Sequence, residues 1–225
     1  MKKYFVTGTD TGVGKTTVSC ALLAAARAQG LRTLALKPLA AGCEETSQGL
    51  RNADALALMQ AMTESLAYEE VNPVALAQPL APHLAARAAN RRLSIQQLGG
   101  FARGALMRRV DLALVEGAGG WRVPVNEREM LSALPRDLGL PVILVVGLRL
   151  GCLNHAILTT EAILRDGVRL AAWVGSVVEP DMAALEDNVE TLKALLPAPC
   201  LGVLPWRPAA SPEERAAALT LAPLL

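Results

Sequence analysis

Short apolar runs alternate along the chain with longer segments whose apolar residues return every three or four positions. Runs at residues 4–6, 33–36, 112–115, 142–147, 171–177 and 200–204 read as strands, and segments 16–28, 53–62, 95–108, 152–165 and 182–195 carry helical i, i+3, i+4 spacing. The run 143–146 shows no polar alternation and reads as a central strand. Strand and helix in turn predict an α/β fold: a mostly parallel sheet with helices on both faces, right-handed crossovers, and ligands gathered at the carboxyl ends of the strands. Residues 72–90, rich in Pro and Ala, read as a loop plus a short helix near the mouth of a site. From residue 205 onward the tail holds one capped helix starting near Ser211, with Pro212 at its first position and Glu213 and Glu214 in its first turn.

A length of 225 residues without a linker or a shift in composition suits one domain over 1–225. A hydrophobic content of 52% raises the question of a membrane. The longest apolar run, 138–148, has only 11 residues and ends at Arg149, well short of the roughly 20 a bilayer requires, so it reads as a buried strand. The first residues enter a strand almost at once, so a cleavable signal is not expected. With a net charge of +1 and 3% aromatic residues, the chain has no electrostatic footprint or stacking surface for nucleic acid. Cys20, Cys43, Cys152 and Cys200 are scattered, with no C-x-x-C, which argues against zinc and disulfides and for a soluble protein of the reducing cytoplasm.

Chemistry is concentrated in three places. Residues 8–17, GTDTGVGKTT, lie between the first strand and the first helix, where a glycine-rich turn and a helix N-terminus direct N–H groups at a polyphosphate. Lys15 would set a cation on the outer oxygens and Thr16 could hold Mg²⁺. The common pattern G-x-x-x-x-G-K-[ST] would begin at Thr9, whereas the glycine is Gly8, so the loop is one residue longer than usual. Residues 110–120, VDLALVEGAGG, bring Glu116 to a strand end, where such proteins place a Mg²⁺ carboxylate, followed by Gly117, Gly119 and Gly120, which let backbone approach phosphates. Lys37, at the end of the second strand, offers a second cation. Asp54 is either a first-turn helix acid or a metal ligand. The start of the helix at Gly151, Cys152, Leu153 and Asn154 either binds a carboxylate through its N–H groups or is capped by Asn154. Neither His83 nor His155 has a carboxylate at readable spacing, so neither is expected to act as a base.

YFVTGTDTGVGKTT, LKPLAAGC, GLRNADALAL, VNP, APH, LVEGAGGW, LPVILVVGLRLGCLNHA and Pro205-Trp206 follow one another in an order that resembles the dethiobiotin synthetase family from end to end. That resemblance implies a single-domain P-loop NTPase-like fold and an ATP-dependent ligase of biotin biosynthesis. In the family reaction, 7,8-diaminononanoate and CO₂ give a carbamate that attacks the γ-phosphate of MgATP, and the second amine then expels phosphate and closes the ureido ring. It assigns Lys15, Lys37 and Thr11 to catalysis, and Thr16, Asp54 and Glu116 to Mg²⁺. Nucleotide would be held by Gly12, Val13, Gly14, Lys15, Thr16, Thr17, Asp54, Glu116, Gly117, Ala118, Gly119, Ser176, Pro205, Trp206 and Arg207. Substrate would meet Thr11, Lys37, Ala41 and Gly119, and its carboxylate would meet Gly151, Cys152, Leu153 and Asn154 of the other subunit of a homodimer.

This chain departs from the family at three positions. Many relatives have an acid at Gly12, a substrate-touching serine at Ala41 and an adenine-reading asparagine where this chain has Ser176. Loss of the hydroxyl at Ala41 removes roughly one hydrogen bond, about 0.5–1.5 kcal/mol. The competing reading is a dimeric nucleotide switch of the partitioning or maturation type, which usually carries a lysine where this chain has Asp10. A glutamine-dependent amidotransferase would need a further domain.

Overall fold

The computed structural model describes residues 1–225. In chain order the elements are β1 (Lys2–Gly8), α1 (Lys15–Ala28), β2 (Thr33–Leu36), β3 (Leu39–Ala41), β4 (Glu44–Thr46), β5 (Gly49–Arg51), α2 (Ala53–Ala61), α3 (Tyr68–Val71), β6 (Val74–Leu76) and α4 (Pro82–Ala88). They continue as α5 (Ile95–Ala105), β7 (Leu112–Glu116), α6 (Ala133–Leu138), β8 (Val142–Leu148), α7 (Cys152–Arg165), β9 (Leu170–Val177), α8 (Leu185–Leu195), β10 (Cys200–Leu204) and α9 (Pro212–Ala216). Each strand read from the apolar pattern belongs to one six-stranded sheet of order β10-β9-β8-β1-β7-β2, with every pairing parallel. All seven residues of β8 are buried, as its unbroken apolar run requires of an inner strand.

The crossover from β1 through α1 steps along the sheet toward β2, while those through α7 and α8 step the opposite way. Right-handed connections therefore put α1 on one face and α7 and α8 on the other. The reversal occurs at β1, so the crevice beyond its carboxyl end, flanked by β7 and β8, is the natural ligand site. One continuous core runs from Tyr4 to Leu224, and the Tyr4 hydroxyl donates to the Leu224 carbonyl at 2.6 Å, tying the C-terminus to the first strand.

Most boundaries fall within two residues of the apolar pattern, and three differ more, each for a local reason. The run 138–148 is not one strand: Leu138 ends α6, Gly139 takes the left-handed conformation (φ 65°) that closes a helix, and Leu140-Pro141 leads into β8. The helix expected to reach residue 108 stops at Ala105, where Leu106 and Met107 close back on Ala102 and Gly104. The helix expected from 182 starts at Leu185, because Ala184 sits at φ 52°. The tail follows the sequence reading, with Ser211 capping α9 in a reciprocal pair with Glu214 and Pro212 at the first position.

Both edges of the sheet are covered. Along β2, Thr33 and Thr63 exchange hydrogen bonds, with Thr33 N donating to Thr63 Oγ1 at 2.7 Å and Thr63 N to Thr33 Oγ1 at 3.0 Å. Glu64 N donates to the Thr33 carbonyl at 3.1 Å. Along β10, Thr220 N donates to the Leu201 carbonyl at 2.8 Å and Gly202 bridges to Leu219.

Candidate functional site

Residues 9–14 turn out of β1 into α1, and the loop is shaped by what surrounds it. Val13 is buried between the ends of β1 and β8: a Cβ added to Gly8 would lie 2.6 Å from its Cγ2, and one added to Gly147 2.7 Å from its Cγ1. Gly12 (φ 74°) and Gly14 (φ 86°) take backbone conformations that side chains resist. Asp10 braces the loop, accepting from Thr11 N at 2.7 Å and pairing with Arg149 at 2.8 Å. α1 has no side-chain cap, and its first intrahelical bond runs from Val18 N to the Gly14 carbonyl, so the N–H groups of the first turn face the crevice.

β7 carries Glu116 to its last position, where the carboxylate is fully buried and accepts three hydrogen bonds. Oε1 accepts from Thr16 Oγ1 and Lys37 Nζ, each at 2.7 Å, and Oε2 from Ser19 Oγ at 2.8 Å. Lys37 Nζ also lies 2.9 Å from Asp54 Oδ2. Burial alone would depress Lys37, but Glu116 and Asp54 outweigh it and hold the ammonium above its ordinary range. Burial would likewise raise Asp54, and its pairing with Lys37 outweighs that and lowers it. Lys15 has no such partner: burial first, then repulsion from Lys37, brings it down to about 8. Its Nζ donates to the Asp10 carbonyl at 3.1 Å.

Of these groups, Lys15, Thr16, Lys37 and Asp54 border a cavity of about 690 Å³, within the range of small-molecule sites. Thr11, Gly12, Gly14, Lys15, Thr16 and Thr17 form one wall, and Lys37, Ala41, Asn52 and Asp54 another. Residues 79–82 and Ala118, Gly119, Arg122, Val123 and Pro124 complete it. The stretch 72–90 therefore reaches the site through residues 79–82 and the start of α4; its reading as a loop and short helix is corrected by β6, three residues that pair in parallel with β3. A Cβ on Gly120 would come 3.5 Å from the Gly8 carbonyl, so the glycine loop after β7 packs backbone to backbone on the phosphate loop.

The remaining candidates lie outside the cavity. Glu116 and Val13 are beneath it, and Gly117 packs on Phe5. Ser176, at the end of β9, has its Oγ 2.7 Å from where Gly14 would carry a Cβ. Pro205, Trp206 and Arg207 follow β10 on the surface, with Trp206 49% exposed. Gly151, Cys152, Leu153 and Asn154 open α7. The capping role considered for Asn154 is corrected: Gly151 (φ 91°) is the cap residue, without a side-chain bond, and Asn154 stands two residues inside the helix from Cys152. Asp54, by contrast, is both a first-turn acid of α2 and a neighbour of Lys37, while Asn52 caps that helix.

Sequence reasoning missed Ser19, Asn52 and Arg122. Ser19 was detectable in principle, because it follows Thr16 by three positions and so shares its face of α1. Arg122 gave no local signal. Its guanidinium is fixed by both oxygens of Asp166, at 2.7 and 2.8 Å, and Asp166 Oδ2 also accepts from Trp121 Nε1 at 2.9 Å.

The chain matches a family model described as an AAA domain over residues 2–214. It is 56% identical over 224 residues to the ATP-dependent dethiobiotin synthetase BioD of Cellvibrio japonicus, covering 100% of this chain and 98% of that one. To the protein of the same name from Pseudomonas aeruginosa (strain UCBPP-PA14) it is 58% identical over 224 residues, with the same coverage. Among solved structures, it resembles the MinC:MinD cell division protein complex of Aquifex aeolicus with a TM-score of 0.58 at 16% identity, covering 92% of this chain and 82% of that one. For chloroplast FtsY of Physcomitrella patens the TM-score is 0.56 at 17% identity, covering 94% and 60%. At those identities the structural likeness carries the phosphate-loop fold and no activity, whereas the sequence likeness extends along the whole chain. On that agreement the chain belongs to the ATP-dependent dethiobiotin synthetase family.

Proposed function

We propose that this chain closes the ureido ring of dethiobiotin from 7,8-diaminononanoate, CO₂ and ATP, and that its residues divide the work by charge. One observation carries the reading: Lys15, Thr16, Lys37 and Asp54 meet at the border of a cavity large enough for a small substrate, with Glu116 beneath them, and the five come from four separate elements and connections. The N–H groups at the start of α1 and the Lys15 ammonium take the triphosphate. An amine of the diamine adds to CO₂ and loses a proton, a carbamate oxygen attacks the γ-phosphorus, and the bond to ADP breaks. The second amine then attacks the carbamoyl carbon, phosphate leaves with the proton that this amine gives up, and the ring closes. Negative charge spreads over the transferring oxygens throughout, so positioned cations matter more than a side-chain nucleophile.

Lys37 is already aimed at the cavity by two carboxylates and supplies one such cation; Thr11 and Gly119, which line the same cavity, border the substrate. The metal-side donors are two carboxylates and the Thr16 hydroxyl, an all-oxygen set of the kind Mg²⁺ uses when phosphates and water complete its shell. Bound there, Mg²⁺ would neutralise charge on the β- and γ-phosphate oxygens. Ser176 and the 205–207 segment frame the base end.

The protein works as a homodimer. The first N–H groups of α7 do not border the cavity of their own chain, and α7 begins beside Leu150, 92% exposed, and carries Leu158, 56% exposed. From that surface, residues 151–154 reach a partner's substrate carboxylate. The test is purified protein with diaminononanoate, bicarbonate and MgATP, monitored by mass spectrometry for dethiobiotin. A folded protein that makes none at saturating substrates defeats the reading.

A further inference from the structure

Lys37 and Asp54 meet at 2.9 Å although they sit on different elements, one just past β2 and the other in the first turn of α2. The segment between them runs through β3 to β5. A buried chain of hydrogen bonds spans the two positions more directly. Asn72 Nδ2 donates to the Lys37 carbonyl at 2.6 Å, while Lys37 N donates to the Val71 carbonyl at 2.9 Å, so the lysine's backbone is held from both sides. The Tyr68 hydroxyl donates to Asn72 Oδ1 at 2.9 Å and accepts from Asn52 N at 2.7 Å. Asn52 in turn caps α2, its Oδ1 accepting from Ala55 N at 3.2 Å. Asn52, Tyr68 and Asn72 are all buried, and the Arg51 guanidinium lies 4.1 Å from the centre of the Tyr68 ring.

At the end of these elements nearest the cavity, the phenol oxygen thus joins the backbone around Lys37 to the cap of the helix that carries Asp54, while the far end of α2 is tied to β2 through Met62 and Thr63. The phenol uses one donor and one acceptor, and both are matched. We propose that Tyr68 is a positioning residue for the metal and phosphate centre, setting the separation of Lys37 and Asp54 through Asn72 on one side and Asn52 on the other. The idea rests on the proposed function only in taking Lys37 and Asp54 as groups that face MgATP. Loss of the phenol leaves the Asn52 N–H and Asn72 Oδ1 buried without partners, and the two ends of the relay drift independently.

Two variants interrupt the relay at different points, Tyr68→Phe and Asn72→Ser, and the first keeps the ring against Arg51. A third, Leu98→Ala, truncates a fully buried residue of α5 outside the cavity and serves as a stability control. Each is measured for Mn²⁺ binding by electron paramagnetic resonance with a non-hydrolysable ATP analogue, for the Mg²⁺ concentration giving half-maximal turnover, and for Tm. Both relay variants are expected to weaken Mn²⁺ binding and raise the Mg²⁺ requirement about fivefold, the size of one lost buried hydrogen bond. The KM for the diamine should change less than about twofold, since no substrate contact is removed. Leu98→Ala should lower Tm and leave metal binding unchanged. If the relay variants resemble Leu98→Ala, losing Tm with metal binding intact, Tyr68 is only structural and the proposal fails. A wild type that binds Mn²⁺ and nucleotide yet makes no dethiobiotin would defeat the functional reading alone, because the resonance measurement still judges the relay.

Discussion

Lys15 and Lys37 are both buried ammonium groups at one site, and their surroundings tune them in opposite directions. Lys37 lies between two carboxylates; Lys15 faces burial and its neighbour's charge with only a carbonyl close by. Lys37→Ala removes a cation from where charge develops, and turnover is expected to fall by about two to three orders of magnitude while the far-ultraviolet circular dichroism is unchanged. Near-normal turnover in that variant would remove Lys37 from the chemistry. Lys15 has a different signature. Folded, it gives up its proton near pH 8, whereas the unfolded chain keeps it to about 10.5. Between those values the unfolded state binds more protons, so the contribution of this group to stability rises with pH, by at most about 1.4 kcal/mol per pH unit. Urea midpoints from pH 7 to 10.5 should show the wild type gaining on Lys15→Met across that window. A constant difference between the two proteins would show that Lys15 titrates normally.

At the scale of elements, the phosphate loop is held by what Gly8 and Gly147 lack. Both strand ends press on Val13, and at each a methyl group would fall under 3 Å from it. Gly147→Ala is expected to shift the loop and raise the KM for ATP about tenfold, since overpacking of this kind costs about 1–3 kcal/mol. Val13→Ala in the same chain restores the space and should recover most of the loss. Independent, additive defects would mean that the two residues do not communicate.

The long elements were legible in the sequence because burial imposes a period. β2 and α7 match their apolar runs residue for residue, and Lys15, Thr16, Lys37 and Glu116 stood out because strand ends and a glycine turn mark them locally. β3 to β6 span three residues each, too few to display a period, and α3 only four. Tyr68 and Asn72 acquire their roles from partners that the chain brings close only on folding, so no local pattern revealed them, whereas Ser19 was legible only through its spacing from Thr16. Where the apolar run misled, at 138–148, a glycine and a proline had already marked the break.

At the scale of the whole molecule, the proposed dimer has a stoichiometric consequence. If each site takes its phosphate loop from one subunit and its α7 start from the other, two inactive variants can repair each other. Lys37→Ala disables the first half. Gly151→Val disables the second, because φ 91° is closed to a branched side chain. After subunit exchange in an equal mixture, half the dimers are mixed and one of their two sites is intact, so about a quarter of wild-type activity should return. No recovery, with exchange verified by native mass spectrometry, would place each site within a single chain.

The covered flanks of the main sheet bear on how copies of this chain can meet. Threonines 33 and 63 close one margin and the strand-like return at 219–220 closes the other, so neither presents a free ladder of main-chain groups. Fibre growth by strand addition along the main sheet is thereby blocked in the native protein. Copies can meet only through other surface, and a crowded solution of this protein should yield no polymer that extends by lengthening that sheet.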